Sequence, residues 1–207
     1  MLLAIPGTDI DPHAAPMERA FQFRHKFFVD HMDWSDLAQA DGLECDQFDG
    51  NHAIHRICLR GEDIVGYQRL LPTTRPHLLT DVLADLCWKR TRTDQRIFEW
   101  TRFGVAPGRR DTRRKGDGPF VELAQGVVEW ALAHGVGTLA VATDWSLTGI
   151  AMQLRCFVPP LGFPKRIGRD EVVALRTSFN RETLHTIPQA TGSKASVLRE
   201  AALAAAA

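Results

Sequence analysis

Glu44, Asp46 and Asp49 put three carboxylates just ahead of a predicted strand pair, and Arg69 sets a guanidinium inside the otherwise apolar second strand, Val65-Gly66-Tyr67-Gln68-Arg69-Leu70-Leu71. A charge there is costly to bury unless a partner or a ligand meets it. Glu99 and Arg102 in a later strand, and Arg24 in a helix, are also charged where their neighbours are apolar. Two structural ion pairs would absorb four of the charges Arg24, Asp46, Asp49, Arg69, Glu99 and Arg102. Gathered instead around a cleft, with Phe28 and Trp34 close in sequence, they suit a small zwitterion.

The elements that must position these residues follow from pattern. Leu2 to Ile5 reads as a short edge strand. A helix begins near Pro16, where proline suits the first helical position. It runs through about His31 with Met17, Phe21, Arg24, Phe28 and Met32 on one stripe, apolar apart from Arg24. Trp34 follows in a polar loop, a setting in which binding residues often sit on a rigid scaffold. Ala53 to Arg60 and Ile64 to Leu71 flank the turn Gly61-Glu62-Asp63 as an antiparallel hairpin. Leu78 to Trp88 spaces its apolar residues as a short amphipathic helix.

Arg96 to Val105 alternates as a strand, with Phe98, Trp100, Arg102 and Gly104 on one face and Ile97, Glu99, Thr101 and Phe103 on the other, unless a bulge at Gly104 upsets the pattern. A helix from Pro119 to about His134 then leads to a buried strand over 138–143, and this strand-helix-strand unit makes its two strands candidate parallel neighbours. A helix over 147–155 and a strand over 171–176 complete a three-layer α/β domain, a mixed sheet with helices on its faces. One domain is expected over 1–200, followed by a low-complexity alanine-rich tail, 201–207.

Composition excludes several classes. Lys+Arg and Asp+Glu are both 25, so the chain has no general attraction for nucleic acid or an anionic membrane. No apolar run approaches a membrane span, and the opening residues are too short an apolar run for a signal peptide. Cys45, Cys58, Cys87 and Cys156 are widely spaced and lack histidines at ligand intervals, so neither a metal site nor a disulfide framework is expected, and a reduced, cytoplasmic protein is. Dinucleotide-binding, Walker, nucleophile-elbow and His-Glu-x-x-His patterns are all missing from the sequence.

Taken in order and interval, the chemical residues resemble those of the acyl-homoserine-lactone synthases, the LuxI-type autoinducer synthases of quorum sensing. The resemblance is carried by Arg24 with Phe28, by Trp34, by Glu44-x-Asp46-x-Phe48-Asp49, by Gly66-x-x-Arg69-Leu70-Leu71-Pro72-Thr73 with Pro76, and by Glu99-x-Thr101-Arg102-Phe103-x-Val105. It covers about Phe23 to Val105; beyond that the element order alone agrees. Thr101 stands where the family usually has serine.

The resemblance implies a GNAT-like mixed sheet in which two parallel strands, here 96–105 and 138–143, splay to admit a pantetheine arm. It implies an acyltransferase that acylates the amine of S-adenosylmethionine from an acyl thioester and then lactonises, releasing an N-acyl-homoserine lactone and methylthioadenosine. S-adenosylmethionine is then a substrate, with no cofactor and no metal.

Such chemistry needs a base for the amine, for which Glu99 is the first candidate and Asp46 the second. Phe28 and Trp34, with Phe103, would hold the sulfonium by cation–π attraction. Arg24, Arg69 and Arg102 would hold the substrate carboxylate or order Asp46 and Asp49. The acyl pocket would be lined by Trp100, Leu139, Val141, Thr143, Met152 and Leu154. In the family a threonine near Ala140 or Thr143 accompanies a 3-oxo preference, and the expectation here is an unsubstituted chain. The donor would be acyl carrier protein or acyl-coenzyme A, met by the basic run at 109–115 and extended by Lys165, Arg166 and Arg169. The competing reading is a GNAT-type N-acyltransferase acting on another amine.

Overall fold

Residues that alternate between two buried faces build the first strands: β1 (Leu2–Pro6), β2 (Ile54–Arg60) and β3 (Asp63–Pro72). On β2, Ile57 and Leu59 pack toward Met17 and Ala20, while Cys58 points the other way toward Leu123. The hairpin closes at Gly61, whose φ of 61° is a conformation glycine adopts without penalty. The chain continues through β4 (Ile97–Val105), β5 (Thr138–Asp144), β6 (Lys165–Ile167) and β7 (Asp170–Ser178). This computed structural model describes residues 1–108, 118–148, 152, 156–179 and 183.

The strands form one seven-stranded sheet in the order β1-β2-β3-β4-β5-β7-β6. Every neighbouring pair is antiparallel except β4 and β5, the parallel pair expected from the strand-helix-strand unit. Those two strands meet at only Ile97↔Thr138, Phe98↔Leu139 and Glu99↔Ala140, although each is several residues longer. Beyond Glu99 they diverge, which leaves a gap in the middle of the sheet.

Helix α1 (Ala14–Arg24) covers one face and α3 (Pro119–Ala133) the other, giving three layers. Pro119 opens α3, and Leu70, Val127, Val128, Ala131 and Leu139 form the core beneath it. The first helix does not continue regularly to His31. Over His25–His31 it widens to π-helical pitch and ends with Met32 N–H bonded to the Phe27 carbonyl, five residues back. Phe27 and Phe28, adjacent in sequence, are thereby both buried.

The expected helix over 78–88 is shorter. Helix α2 (Leu78–Asp81) stops when Leu83 N–H bonds back to Leu78, and a tight turn at Ala84–Leu86 follows. Lys165 and Arg166, expected to extend the basic run, lie in β6, a short edge strand. The helix expected over 147–155, the basic run at 109–115, Leu154 and the tail at 201–207 fall largely or wholly outside the described residues. Among the described residues, no helix is long and apolar enough to cross a membrane.

Candidate active site

β4 does not alternate regularly. Tyr67 pairs with Gly104 and Arg69 with Thr101, so Arg102 and Phe103 together oppose Gln68, and Arg102 takes φ 53°. This is a β-bulge, with its extra residue in the left-handed region that non-glycine residues seldom occupy. Its effect corrects the expected faces: Arg102 joins Glu99 and Thr101, while Phe103 joins Trp100. The Trp100 and Phe103 rings meet edge to face at 5.2 Å on the α3 side. Gly104 returns to the α1 side, where a Cβ would come within 2.7 Å of the Phe27 ring.

On the α1 side Arg24, Asp46, Asp49, Arg69 and Arg102 gather with Glu44 in an alternating network, while Glu99, expected among them, bonds elsewhere. Arg24 donates from Nε to Glu44 Oε2 at 2.6 Å and from Nη1 to Asp49 Oδ1 at 2.7 Å. Arg69 donates to Asp46 Oδ1 and Asp49 Oδ1, both at 2.6 Å, to Asp46 Oδ2 at 3.0 Å, and to the Thr101 hydroxyl at 3.1 Å. Arg102 reaches Glu44 Oε1 and Asp46 Oδ2, each at 3.0 Å. Three guanidiniums thus share three carboxylates, and neither sign is left in excess.

Side-chain exposure is nil at Arg24 and Arg69 and 1% at Glu44, 7% at both Arg102 and Asp49, and 14% at Asp46. Asp46 is therefore the most open member of the network, Arg102 and Asp49 are slightly open, and Arg24, Arg69 and Glu44 are closed off. Burial would raise the Asp49 carboxyl, but the Arg69 and Arg24 guanidiniums outweigh it and hold it well below the usual range. Burial likewise opposes ionisation of Glu44, and its bonds to Arg24 and Arg102 prevail, so it too is lowered.

Tyr67 and His55 support this network, and the sequence reading had assigned neither. Tyr67 lies two residues before Arg69 on the same face of β3, and His55 is paired with Arg69 across β2, so strand alternation carried the signal. The Tyr67 hydroxyl accepts from Arg24 Nη1 at 3.3 Å and lies 2.7 Å from His55 Nδ1. Burial pushes the tyrosine up to about 12 and the histidine down to about 4.

Glu99 is fully buried, and its oxygens accept the Leu78 and Leu79 amides at 2.8 and 3.0 Å, which anchors the first turn of α2. His77 Nδ1 lies 3.3 Å from Glu99 Oε2. Phe28 is stacked on Trp34, with centroids 5.2 Å apart and planes 22° from parallel, and the Arg102 guanidinium lies 5.7 Å from the Phe28 ring. The residues proposed for a zwitterion and a soft cation are thus contiguous.

On the opposite face, a cavity of about 120 Å³ runs between α3 and strands β4, β5 and β7. Trp100, Leu139, Val141 and Thr143 line it as expected, and Phe103, Val128, Cys156, Leu175, Thr177 and Phe179 complete much of the wall. Met152 is largely exposed and does not line it. Ala140 does not either: it faces the α2 side beside Glu99, packed with Leu79, Leu86 and Ala174. The expected basic patch is partly neutralised at Lys165, which bonds Asp85, whereas Arg169 donates to the His31 carbonyl. Among the described residues, no cluster of His, Cys, Asp and Glu could hold a metal ion.

A mixed sheet split at one parallel pair, with an apolar cavity on one face and a charged, aromatic-edged pocket on the other, defines an acyltransferase of the GNAT-like class. The autoinducer synthase family signature matches residues 11–187, and the chain belongs to that family. It is 29% identical over 189 residues to the isovaleryl-homoserine lactone synthase of Bradyrhizobium diazoefficiens, covering 90% of this chain and 84% of that one. It is 30% identical over 184 residues to the acyl-homoserine-lactone synthase of Ralstonia solanacearum, covering 86% and 90%. The structure of the coenzyme A-dependent acyl-homoserine lactone synthase BjaI, with SAM and isopentyl-CoA, superposes with a TM-score of 0.85 at 27% identity, covering 95% of this chain and 91% of that one. The chain is an acyl-homoserine-lactone synthase.

Proposed function

We propose that this synthase joins S-adenosylmethionine to an acyl-coenzyme A carrying a short, unsubstituted hydrocarbon chain. The observation that carries the reading is β4 itself: its bulge sends Trp100 and Phe103 to the apolar cavity and Thr101 and Arg102 to the charged pocket, beside the gap where β5 departs. A thioester threaded through that gap would bring its carbonyl from the acyl side to the amine side. The apolar lining favours a hydrocarbon chain, and the Bradyrhizobium relative is named for a short branched one.

In this reading Arg102, which lies 5.7 Å from the Phe28 ring, and Asp46, the most exposed member of the network, meet the substrate's carboxylate and amine, while Arg24, Arg69, Glu44 and Asp49 hold them in place. Phe28 and Trp34 hold the sulfonium, for about 1–2 kcal/mol when desolvated. Glu99 takes the amine proton through water, since each of its oxygens accepts one amide and keeps a second lone pair. The neutral amine attacks the thioester carbonyl and the thiol leaves. The substrate carboxylate then attacks its own γ-carbon and expels methylthioadenosine; the pocket need only hold the chain folded back on itself.

Mass spectrometry of products, with matched acyl-coenzyme A and acyl-carrier-protein donors of graded chain length, tests the proposal. Short acyl-coenzyme A donors should give both the lactone and methylthioadenosine. Donor turnover without methylthioadenosine would support an N-acyltransferase of another amine instead. Glu99→Gln should fold yet lose turnover by about 10²-fold or more, whereas a folded, fully active variant would leave Glu99 as the anchor of α2 alone and shift the base to Asp46.

A further inference from the structure

The gap between β4 and β5 is bridged at its open end. β6 and β7 are joined by the two-residue turn Gly168-Arg169, with Gly168 at φ 59°, and this hairpin tip reaches the end of the first helix. Asp170 Oδ2 accepts the Trp34 indole N–H at 3.2 Å, and Arg169 Nη2 donates to the His31 carbonyl, also at 3.2 Å. Residues 136 apart in sequence are thereby joined across the site. Trp34 has two further constraints: Asp33 precedes it at φ 61°, and its own backbone N–H bonds the Phe28 carbonyl at 3.0 Å. The backbone fixes where the indole starts; the Asp170 contact fixes its rotation about the side-chain bonds and so its tilt against Phe28.

We propose that Asp170 is a positioning residue: from the far half of the sheet, its carboxylate locks the Trp34 indole against Phe28 in the orientation that meets the sulfonium substrate. The inference rests on the reading of Phe28 and Trp34 as the sulfonium pocket. It ties pocket geometry to the β6–β7 hairpin, which touches neither the ion network nor the acyl cavity through Asp170.

The test is steady-state kinetics with S-adenosylmethionine varied at saturating acyl donor, and the reverse. Asp170→Ala should raise the KM for S-adenosylmethionine about tenfold, as expected for loss of one charge-assisted bond, with kcat and the donor KM nearly unchanged. Asp170→Asn keeps an acceptor oxygen and should restore most of the loss. In a Trp34→Phe background, which has no indole N–H, Asp170→Ala should add nothing. Equal effects in both backgrounds, or no effect in either, would overturn the proposal.

If the parent enzyme made neither product, the functional reading would fail while the inference stayed testable. Emission specific to Trp34, obtained by subtracting the Trp34→Phe spectrum, should become more accessible to iodide in Asp170→Ala and not in Asp170→Asn. Unchanged quenching would refute the positioning role independently of activity.

Discussion

The buried His55 makes the fold sensitive to mild acid in a way that can be worked through. Its ring is fully buried behind the ion network, with Nδ1 2.7 Å from the Tyr67 hydroxyl. The Tyr67 hydroxyl also accepts from Arg24, and His55 Nε2 is buried with no hydrogen-bond partner among the described residues, a setting that favours the neutral imidazole over the imidazolium. Burial, with Arg24 and Arg69 nearby, outweighs the attraction of Asp49 and lowers the ring from its ordinary 6.5 to about 4. The folded state thus binds this proton less tightly than the unfolded state. Its stabilising effect is complete above pH 6.5 and is lost as pH falls toward 4. Linkage puts the full effect at about 3 kcal/mol and the loss by pH 5 at about 2 kcal/mol. Urea unfolding at pH 7.5, 6 and 5 measures it, with His55→Gln as the reference, because an amide can bond the Tyr67 hydroxyl as either donor or acceptor and does not titrate. The variant should start less stable and decline less over this range by about 2 kcal/mol. Parallel declines in the two proteins would refute the assignment of this proton to His55.

Three further outcomes are expected. Arg69→Met leaves Asp46 and Asp49 without their shared guanidinium and should cost about 3–5 kcal/mol in urea unfolding; a variant as stable as the parent would mean the network contributes nothing to the fold. Gly104→Ala drives a methyl against the Phe27 ring, 2.7 Å away, and should destabilise by about 1–3 kcal/mol, read as a fall in thermal midpoint. Leu175→Ala enlarges the apolar cavity, should cost about 2–4 kcal/mol, and should shift relative kcat/KM toward longer acyl chains; an unaltered chain-length profile would argue against that cavity as the acyl site.

Much of the site was legible because its charges interrupt apolar patterns. Arg24 stands on a helical stripe and Arg69 in a strand, and both prove to be the buried members of the network. The parallel pairing of β4 and β5 followed from connection rules. What failed was local geometry that leaves no periodic trace. The bulge in β4 exchanges the faces of Arg102 and Phe103, and Gly104 hinted at an irregularity without fixing its position. The π-helical turn slips by one residue and buries two adjacent phenylalanines, which a strict helical stripe does not allow. β6 is three exposed residues, Lys165–Ile167, with no alternation to detect. Asp170 could not be tied to Trp34, since nothing local connects residues so far apart in the chain.

The brevity of the β4–β5 ladder has an evolutionary consequence. With three register pairs between them, the two halves of the sheet are separate plates joined along a short seam. The plate from β1 to β4 carries the ion network, whereas Val141, Thr143, Leu175 and Thr177 of the apolar cavity belong to the other. Apart from Asp170, whose carboxylate reaches Trp34, substitutions at the cavity positions of the second plate leave the ion network untouched. With the apolar cavity as the acyl site, a lineage built on this sheet would change the dialect of its chemical signal one side chain at a time, while the machinery that supplies the lactone head stayed as it was.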